Sequence, residues 1–360
     1  MRRNRFSTCD LALISTFALT LTWLLSGCWI SGADERFLRG EEARRLVRDN
    51  YEAWISAGSV REENGALVFR ASEPEPVIQV LPRDNSFSNY TGRIENLIPG
   101  TRLIYPDGST NTAGRDLRAD FYLPSGGGII NTRVPDGENS FLFAVISDNH
   151  NNQKVFENFI EDVNGREIAF VISLGDFTVF DGSQEIENAI KWSSELKVPF
   201  YTTLGNHESY GKDWEMVIDH FGASSYSFSL AGSRFVFLDS ANYGLGKETR
   251  DWFLDLLGAV TEKNIMVFTH VSPVEDIDNR ALAFKDQKEG LELISVMSQA
   301  GVNYLFAGHA HSYRHFKFGG VEIYVSGGGG GSTEKMNGAG YHYLLVNLAG
   351  ELQVRRISLE

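Results

Sequence analysis

From residue 141 onward, apolar runs of strand length recur, each stopped by glycine or a polar residue. Residues 141–146 lead into Asp148, 168–174 into Gly175-Asp176, 198–204 into Gly205-Asn206, 265–269 into His270, and 304–307 into Gly308-His309. Continuous apolar runs this short predict buried strands. Between them, residues 155–163, 186–196, 249–257 and 290–300 carry patterns suited to helices. Strands alternating with helices predict a largely parallel sheet, in which ligands sit at the carboxyl ends of the strands. Every polar cluster just named falls at such an end.

The clusters gather two aspartates, an amide and five of the eight histidines along one sheet edge: Asp148, His150, Asp176, Asn206, His207, His270, His309 and His311. Taken singly, Asp-x-His and Gly-Asp occur in many chains, and a lone His270 is more often a core or surface residue than a ligand. Gly205-Asn206-His207-Glu208 and Gly308-His309-Ala310-His311 are sharper, because a strand-to-loop turn presenting two imidazoles has little packing rationale. Mixed imidazole and oxygen donors suit Fe, Mn or Zn better than Ca or Mg, without choosing among the three. Two such ions would outweigh two aspartates in charge and attract a phosphate locally, even to an acidic chain.

The order D-x-H, G-D, G-N-H-[DE], H, G-H-x-H resembles that of the calcineurin-like metallophosphoesterases, over about residues 141–350. The resemblance implies an α/β fold, an αββα sandwich in which two mixed sheets pack face to face with helices outside. It implies that Asp148, His150 and His311 hold one metal and Asn206, His270 and His309 another, that Asp176 bridges them, and that a hydroxide shared by the metals is the nucleophile. By the same resemblance His207 is a catalytic non-ligand that stabilises the phosphoryl oxygens and helps protonate the leaving alkoxide, with Glu208 nearby to raise its basicity. Within the family, Gly-Asn-His-Glu and the run Gly308-His309-Ala310-His311-Ser312-Tyr313-Arg314 resemble the purple acid phosphatases. That branch opens its site with Gly-Asp-x-Gly, where this chain has Asp148-Asn149-His150, and its metal-coordinating tyrosine would fall at Val179. Valine cannot form an iron-tyrosinate chromophore, so a purple protein is not expected.

Upstream, residues 65–135 alternate short β-branched runs with Pro, Gly, Asn and Asp, predicting a small all-β domain. Residues 97–103 with Tyr105 resemble the corner of fibronectin type III domains, although Leu103 stands where the corner tyrosine belongs. Residues 41–56 set Leu46, Val47, Tyr51, Trp54 and Ile55 at helical spacing, predicting a helix with Arg44, Arg45 and Arg48 on a solvated face. At the amino terminus, Arg2, Arg3 and Arg5 precede an apolar stretch over residues 11–25, shorter than the ~20 residues of a spanning helix. Leu25-Ser26-Gly27-Cys28 then resembles the lipobox of bacterial lipoproteins. Cleavage there would leave lipid on Cys28 and no second cysteine, since Cys9 lies in the removed segment. The expected domains are a signal over 1–27, an anchor linker and helix over 28–64, the small β domain over 65–138 and the metallophosphoesterase domain over 139–360.

Charge narrows the partners. The net charge of −14 becomes −16 when residues 1–27, with three arginines and one aspartate, are removed. No Lys/Arg cluster suited to a nucleic-acid backbone is present, and the overall field opposes such binding. The expectation is an extracytoplasmic hydrolase of small phosphomonoesters or phosphodiesters, held to a bacterial membrane through Cys28. Its rivals are a cyclic nucleotide phosphodiesterase or nuclease, and a binding lipoprotein whose phosphatase site is vestigial. The tract Gly327–Gly331 reads equally as a flexible turn and as a loop approaching the metals. His220, His315 and His342 fit no motif and read as structural or surface residues.

Overall fold

A computed structural model describes residues 31–84, 89–135, 141–180, 182–276, 282–332, 338–349 and 351–359; the signal-like segment and Cys28 lie outside them. Helix α1 (Gly32–Ala43) is followed by ten strands: β1 (Arg45–Val47), β2 (Tyr51–Ile55), β3 (Gly58–Glu63), β4 (Ala66–Ala71), β5 (Ile78–Pro82), β6 (Tyr90–Glu95), β7 (Arg102–Ile104), β8 (Thr110–Thr112), β9 (Arg118–Leu123) and β10 (Gly128–Arg133). They make two sheets, ordered β1-β2-β5-β10-β7-β8 and β3-β4-β6-β9. Ile55, Phe69, Ile78, Ile94, Phe121 and Ile130 share the core of this unit.

The helix expected over residues 41–56 is not formed there. Helix α1 ends at Ala43, and Tyr51, Ala53 and Ile55 are buried while Glu52 and Trp54 are only partly so. That period of two fits a strand with one face on the core, and pairing with β5 decides against the helical spacing. The β unit therefore begins near residue 45 rather than 65. Its β4–β6 pair is parallel, a departure from the antiparallel sheets of a fibronectin-like sandwich, and the fully buried Leu103 has no hydroxyl with which to make a corner bond.

The second half continues with β11 (Phe141–Ile146), α2 (Gln153–Asn164), β12 (Phe170–Ser173), α3 (Ser183–Ser193), β13 (Phe200–Thr202), α4 (Trp214–Phe221), β14 (Tyr226–Leu230), β15 (Ser233–Leu238), α5 (Lys247–Ala259), β16 (Asn264–Thr269), α6 (Gln287–Gln299), β17 (Tyr304–Ala307), β18 (Tyr313–Phe318), β19 (Val321–Ser326), β20 (His342–Ala349) and β21 (Glu351–Ser358). Two mixed sheets result, β13-β12-β11-β20-β21 and β14-β15-β16-β17-β19-β18. Between them lies an aromatic layer that includes Phe143, Phe170, Phe235, Phe268 and Phe306. Separate apolar layers sit outside each sheet, one involving α2 and α3 and the other α5 and α6. This is the αββα sandwich. Because β11, β12 and β13 run parallel, as do β15, β16, β17 and β19, their carboxyl ends emerge together.

Two buried polar contacts lock the amino-terminal elements to this sandwich. The Asn96 side chain donates to the Phe200 carbonyl at 3.0 Å and accepts from the Phe200 amide at 2.9 Å, so it continues the hydrogen bonding of edge strand β13. Arg36 of α1 forks onto Asp239, just past β15, with Nε 2.7 Å from Oδ2 and Nη2 3.0 Å from Oδ1. Both side chains are almost wholly buried, 2% and 1% exposed, and removing one partner would strand the other charge. Arg36→Ala is therefore expected to lower unfolding stability by about 3–5 kcal/mol. Arg39→Ala, which removes the solvent-facing pair with Asp219, should cost about 1 kcal/mol or less. Denaturant titration of the two variants checks the contrast.

Candidate metal centre

The loops that leave β11, β12, β13, β16 and β17 bring the polar clusters together. Asp148 and Asp176 are buried, at 0% and 1% exposed, as are Asn206 and His270; His150, His207, His309 and His311 are partly exposed along the mouth. Asp148, His150, Asp176 and His309 all adopt positive φ, between 49° and 64°, and so do neighbouring Asn151 and Tyr243. These are six of the ten non-glycine residues with left-handed backbone among those described. Such concentration of an uncommon conformation points to a functional constraint rather than to turn formation alone.

Donor atoms converge in two groups. In the first, His150 and His311 face each other with Nε2 atoms 3.0 Å apart, and Asp148 Oδ1 lies 3.4 Å from His311 Nε2 and 4.0 Å from His150 Nε2. In the second, Asp176, His270 and His309 present ligand atoms within 4.8 Å of one another. Asn206 joins that group through Oδ1, 2.9 Å from His270 Nε2. Asp176 Oδ2 stands between the two, 3.6 Å from His150 Nε2 and 3.2 Å from His270 Nε2.

Hydrogen bonds fix which nitrogens face inward. A carbonyl oxygen can only accept, so the Nδ1 atoms of His207, His270 and His311 donate to Val179 O, Leu174 O and Ser332 O, at 2.5, 2.9 and 2.8 Å. Each ring is thereby oriented with Nε2 toward the centre, as metal binding requires of His270 and His311. Asn206 Nδ2 donates to the Tyr210 hydroxyl at 2.6 Å, which turns its Oδ1 inward. Asp148 Oδ1 is buried without a well-formed hydrogen bond. Converging lone pairs and an orphaned carboxylate oxygen fit a cation, and the mixed N/O donor set fits a transition metal.

Electrostatics agree. Burial opposes ionisation of Asp148, but the imidazoles of His311, His270 and His150 overcome it and hold the carboxyl well below its usual range. Asp176 is lowered in the same way, against burial, chiefly by His270. Burial works against charge on His270 as well, yet Asp176 and Asp148 push it up to about 9. A metal ion entering here would have to displace that proton.

Glu208 requires a correction. Sequence alone pairs it with His207 as a catalytic partner, but one of its oxygens accepts from the Asp176 and Gly205 amides, both at 2.9 Å. The other accepts from the Thr178 amide at 3.0 Å and the Thr178 hydroxyl at 3.2 Å. It staples the Asp176 loop to the Asn206 turn, and the partner of His207 Nδ1 is the Val179 carbonyl. The close fit of these turns leaves no room at Gly205, where a Cβ would meet Asp176 Oδ1 at 2.0 Å.

The Gly327–Gly331 tract is resolved in favour of a loop at the site. Its Gly329 and Gly331 amides donate to the Ser147 and Asp148 carbonyls, both at 2.8 Å, and a Cβ at Gly331 would lie 2.7 Å from both the His150 and His311 rings. Arg314, at the end of the second histidine motif, pairs with Glu275 at 3.1 Å and so ties β18 to the segment beyond His270. Two residues beside the centre had no sequence signal: Tyr210, and Tyr243, whose ring stands edge-on to His309 with centroids 5.1 Å apart. His220, His315 and His342 lie outside the donor groups; His220 packs edge-on against Phe221, His315 pairs with Glu322 and buried His342 donates to Gly340 O.

Residues 141–327 match the family described as calcineurin-like phosphoesterase. A probable purple acid phosphatase 20 of Arabidopsis thaliana is 28% identical over 167 residues, 38% of this chain; the chain thus spans 38% of the length of that relative. Purple acid phosphatase PPD1 from yellow lupin (Lupinus luteus) seeds shares the fold, with a TM-score of 0.51 at 11% identity over 86% of this chain and 78% of that one. A dimetal phosphatase from Danio rerio gives a TM-score of 0.48 at 12% identity, over 61% of this chain and 96% of that one.

Glu208→Gln would turn an amide N–H₂ toward backbone N–H donors, so it should lower stability by about 1–3 kcal/mol and weaken metal retention. A Glu208 that acted through the basicity of His207 would instead leave the melting temperature unchanged and shift the pH–rate profile. Thermal unfolding beside a pH–rate profile separates the two.

Proposed function

The chain belongs to the calcineurin-like phosphoesterase family, and from that premise we propose that it hydrolyses small phosphate esters, mono- or diesters, at a centre holding two Fe, Mn or Zn ions. The observation that carries this reading is the position of Asp176 Oδ2, between one group of Asp148, His150 and His311 and another of Asn206, His270 and His309. The first group would hold one ion, the second group the other, and Asp176 both. Bound there, the ions supply Lewis acidity that activates water and offsets phosphoryl charge.

The residues of the chain do the rest. Leu174 and Ser332 carbonyls keep His270 and His311 oriented, Tyr210 keeps the Asn206 amide turned, and Glu208 keeps the Asp176 and Asn206 loops together. His207 stands at the mouth, its ring 4.5 Å from that of His150 and its Nε2 3.9 Å from Asp176 Oδ2. Proximity alone would also allow His207 as a ligand, since His150, Asp176 and His207 form a third convergent group. We assign it the acid role: Nδ1–H is retained by the Val179 carbonyl, and Nε2–H passes its proton to the leaving-group oxygen as the P–O bond breaks.

The address is proposed from sequence. Residues 25–28 support lipid attachment at Cys28 and an extracytoplasmic, membrane-anchored protein. No helix among the described residues is long and apolar enough to cross a membrane.

Two experiments test this reading. Asp176→Asn should lower both metal content and activity. His207→Ala should keep metal and lose roughly 10²- to 10⁴-fold in rate, less for aryl esters whose leaving groups need little protonation. Loss of metal in His207→Ala, or equal slowing of alkyl and aryl esters, would remove His207 from the acid role. Separately, Cys28→Ser should abolish lipid labelling and release the protein from membranes; undiminished labelling would rule the anchor out.

A further inference from the structure

The most exposed large apolar side chains among those described are Phe180 at 76% and Tyr210 at 60%, and both belong to loops of the metal centre. Scattered exposed apolar residues need no explanation, but two at the mouth of one site do. Phe180 directly follows Val179, whose carbonyl holds the His207 ring. Its backbone is anchored: Glu185 accepts from the Val179 and Phe180 amides at 2.8 and 3.3 Å and from Asn151 Nδ2 at 3.3 Å. Tyr210 ends the 3-10 turn Glu208–Tyr210, with its ring 5.2 Å from that of His207.

A third ring extends the surface. Tyr243, with φ of 61°, stands edge-on to His309, and Lys285 Nζ lies 4.5 Å from its ring centre. Burial and the neighbouring Tyr210 hydroxyl raise its phenol pKa, so it remains a neutral ring. Tyr210 beside His207 and Tyr243 beside His309 thus form an aromatic rim, and exposed Phe180 follows it on the stapled loop whose Val179 carbonyl holds the His207 ring. In an ester bound for cleavage, the group beyond the leaving oxygen must lie on the side of the acid that protonates it. That is the side of Tyr210 and of the Val179–Phe180 loop that holds the His207 ring.

We propose that this rim selects phosphate esters whose leaving group carries a flat aromatic ring, stacked against Phe180 and Tyr210. The proposal rests on the assignment of the centre as a phosphoesterase site with His207 as acid, and it adds the class of leaving group. A ring attached directly to the ester oxygen, as in an aryl phosphate, and a ring one sugar away, as in a nucleotide, share the recognition chemistry.

The test uses metal-loaded full-length protein, wild type, Phe180→Ala and Phe180→Leu. Substrates are naphthyl phosphate, adenosine monophosphate, cyclohexyl phosphate and glycerol phosphate; ligands for calorimetry are phenylphosphonate and methylphosphonate, which are not hydrolysed. Because aryl leaving groups are intrinsically better, the readout is the change between proteins in the ratio of kcat/KM for a ring-bearing ester to that for glycerol phosphate. That ratio should fall about tenfold in Phe180→Ala and incompletely recover in Phe180→Leu, the scale of one aromatic contact. Phenylphosphonate binding should weaken by a similar factor relative to methylphosphonate. A fall confined to naphthyl phosphate assigns the ring to an aryl group, and one confined to adenosine monophosphate assigns it to a nucleobase. Unchanged ratios for both esters together with unchanged phosphonate selectivity would overturn the proposal while hydrolysis continued. No hydrolysis of any ester by metal-loaded wild type would instead defeat the underlying phosphoesterase reading.

Discussion

Two carboxylates held out of water set the terms for this structure. Asp148 and Asp176 are fully buried at the ends of parallel strands, where an uncompensated negative charge would cost several kcal/mol. Imidazoles from three other loops answer them, and those imidazoles are in turn fixed by backbone carbonyls at Val179, Leu174 and Ser332. The centre is thus assembled from strand ends far apart in sequence, with its donors aimed by the protein's own hydrogen bonds. Left-handed backbone at Asp148, His150, Asp176 and His309 is the conformational cost of that aim.

Much of this was legible because buried parallel strands write themselves as continuous apolar runs. The runs at 141–146 and 304–307 correspond to β11 and β17 residue for residue, and those at 168–174 and 198–204 contain β12 and β13. The motif residues follow these strands directly, so locating the strands located the donors. Residues 41–56 misled because Leu46, Val47, Tyr51, Trp54 and Ile55 fit a helical spacing while Tyr51, Ala53 and Ile55 also fit alternation. Alanine at 53 gave no hydrophobic emphasis, and only pairing with β5 separates the readings. Glu208 misled for another reason: adjacency in sequence places it beside His207, whereas its contacts are made by a turn that returns it to Asp176 and Thr178. Tyr210 and Tyr243 reach the centre through loop geometry and carry no local pattern.

The amino-terminal elements are integrated with the calcineurin-like phosphoesterase half. Arg36 fixes Asp239, Asp239 also accepts from the Ser224 hydroxyl and the Ala241 amide, and the chain then turns through Ser240 to Tyr243 at the mouth of the centre. Ser240 Oγ accepts from Thr269 Oγ1 and the Val271 amide on either side of His270. The segment next to the signal-like sequence is therefore in physical continuity with a metal-site loop. Asn96 in turn occupies the edge of β13, the strand that leads into Asn206.

The central claim is that seven side chains from five strand ends build one two-ion centre with Asp176 shared. Anomalous scattering from crystals of the metal-loaded protein measures this most directly. Two peaks are expected, one among Asp148, His150 and His311 and one among Asn206, His270 and His309, each in contact with Asp176 and neither with His207. A single peak, or an ion coordinated by His207 Nε2, would contradict the account.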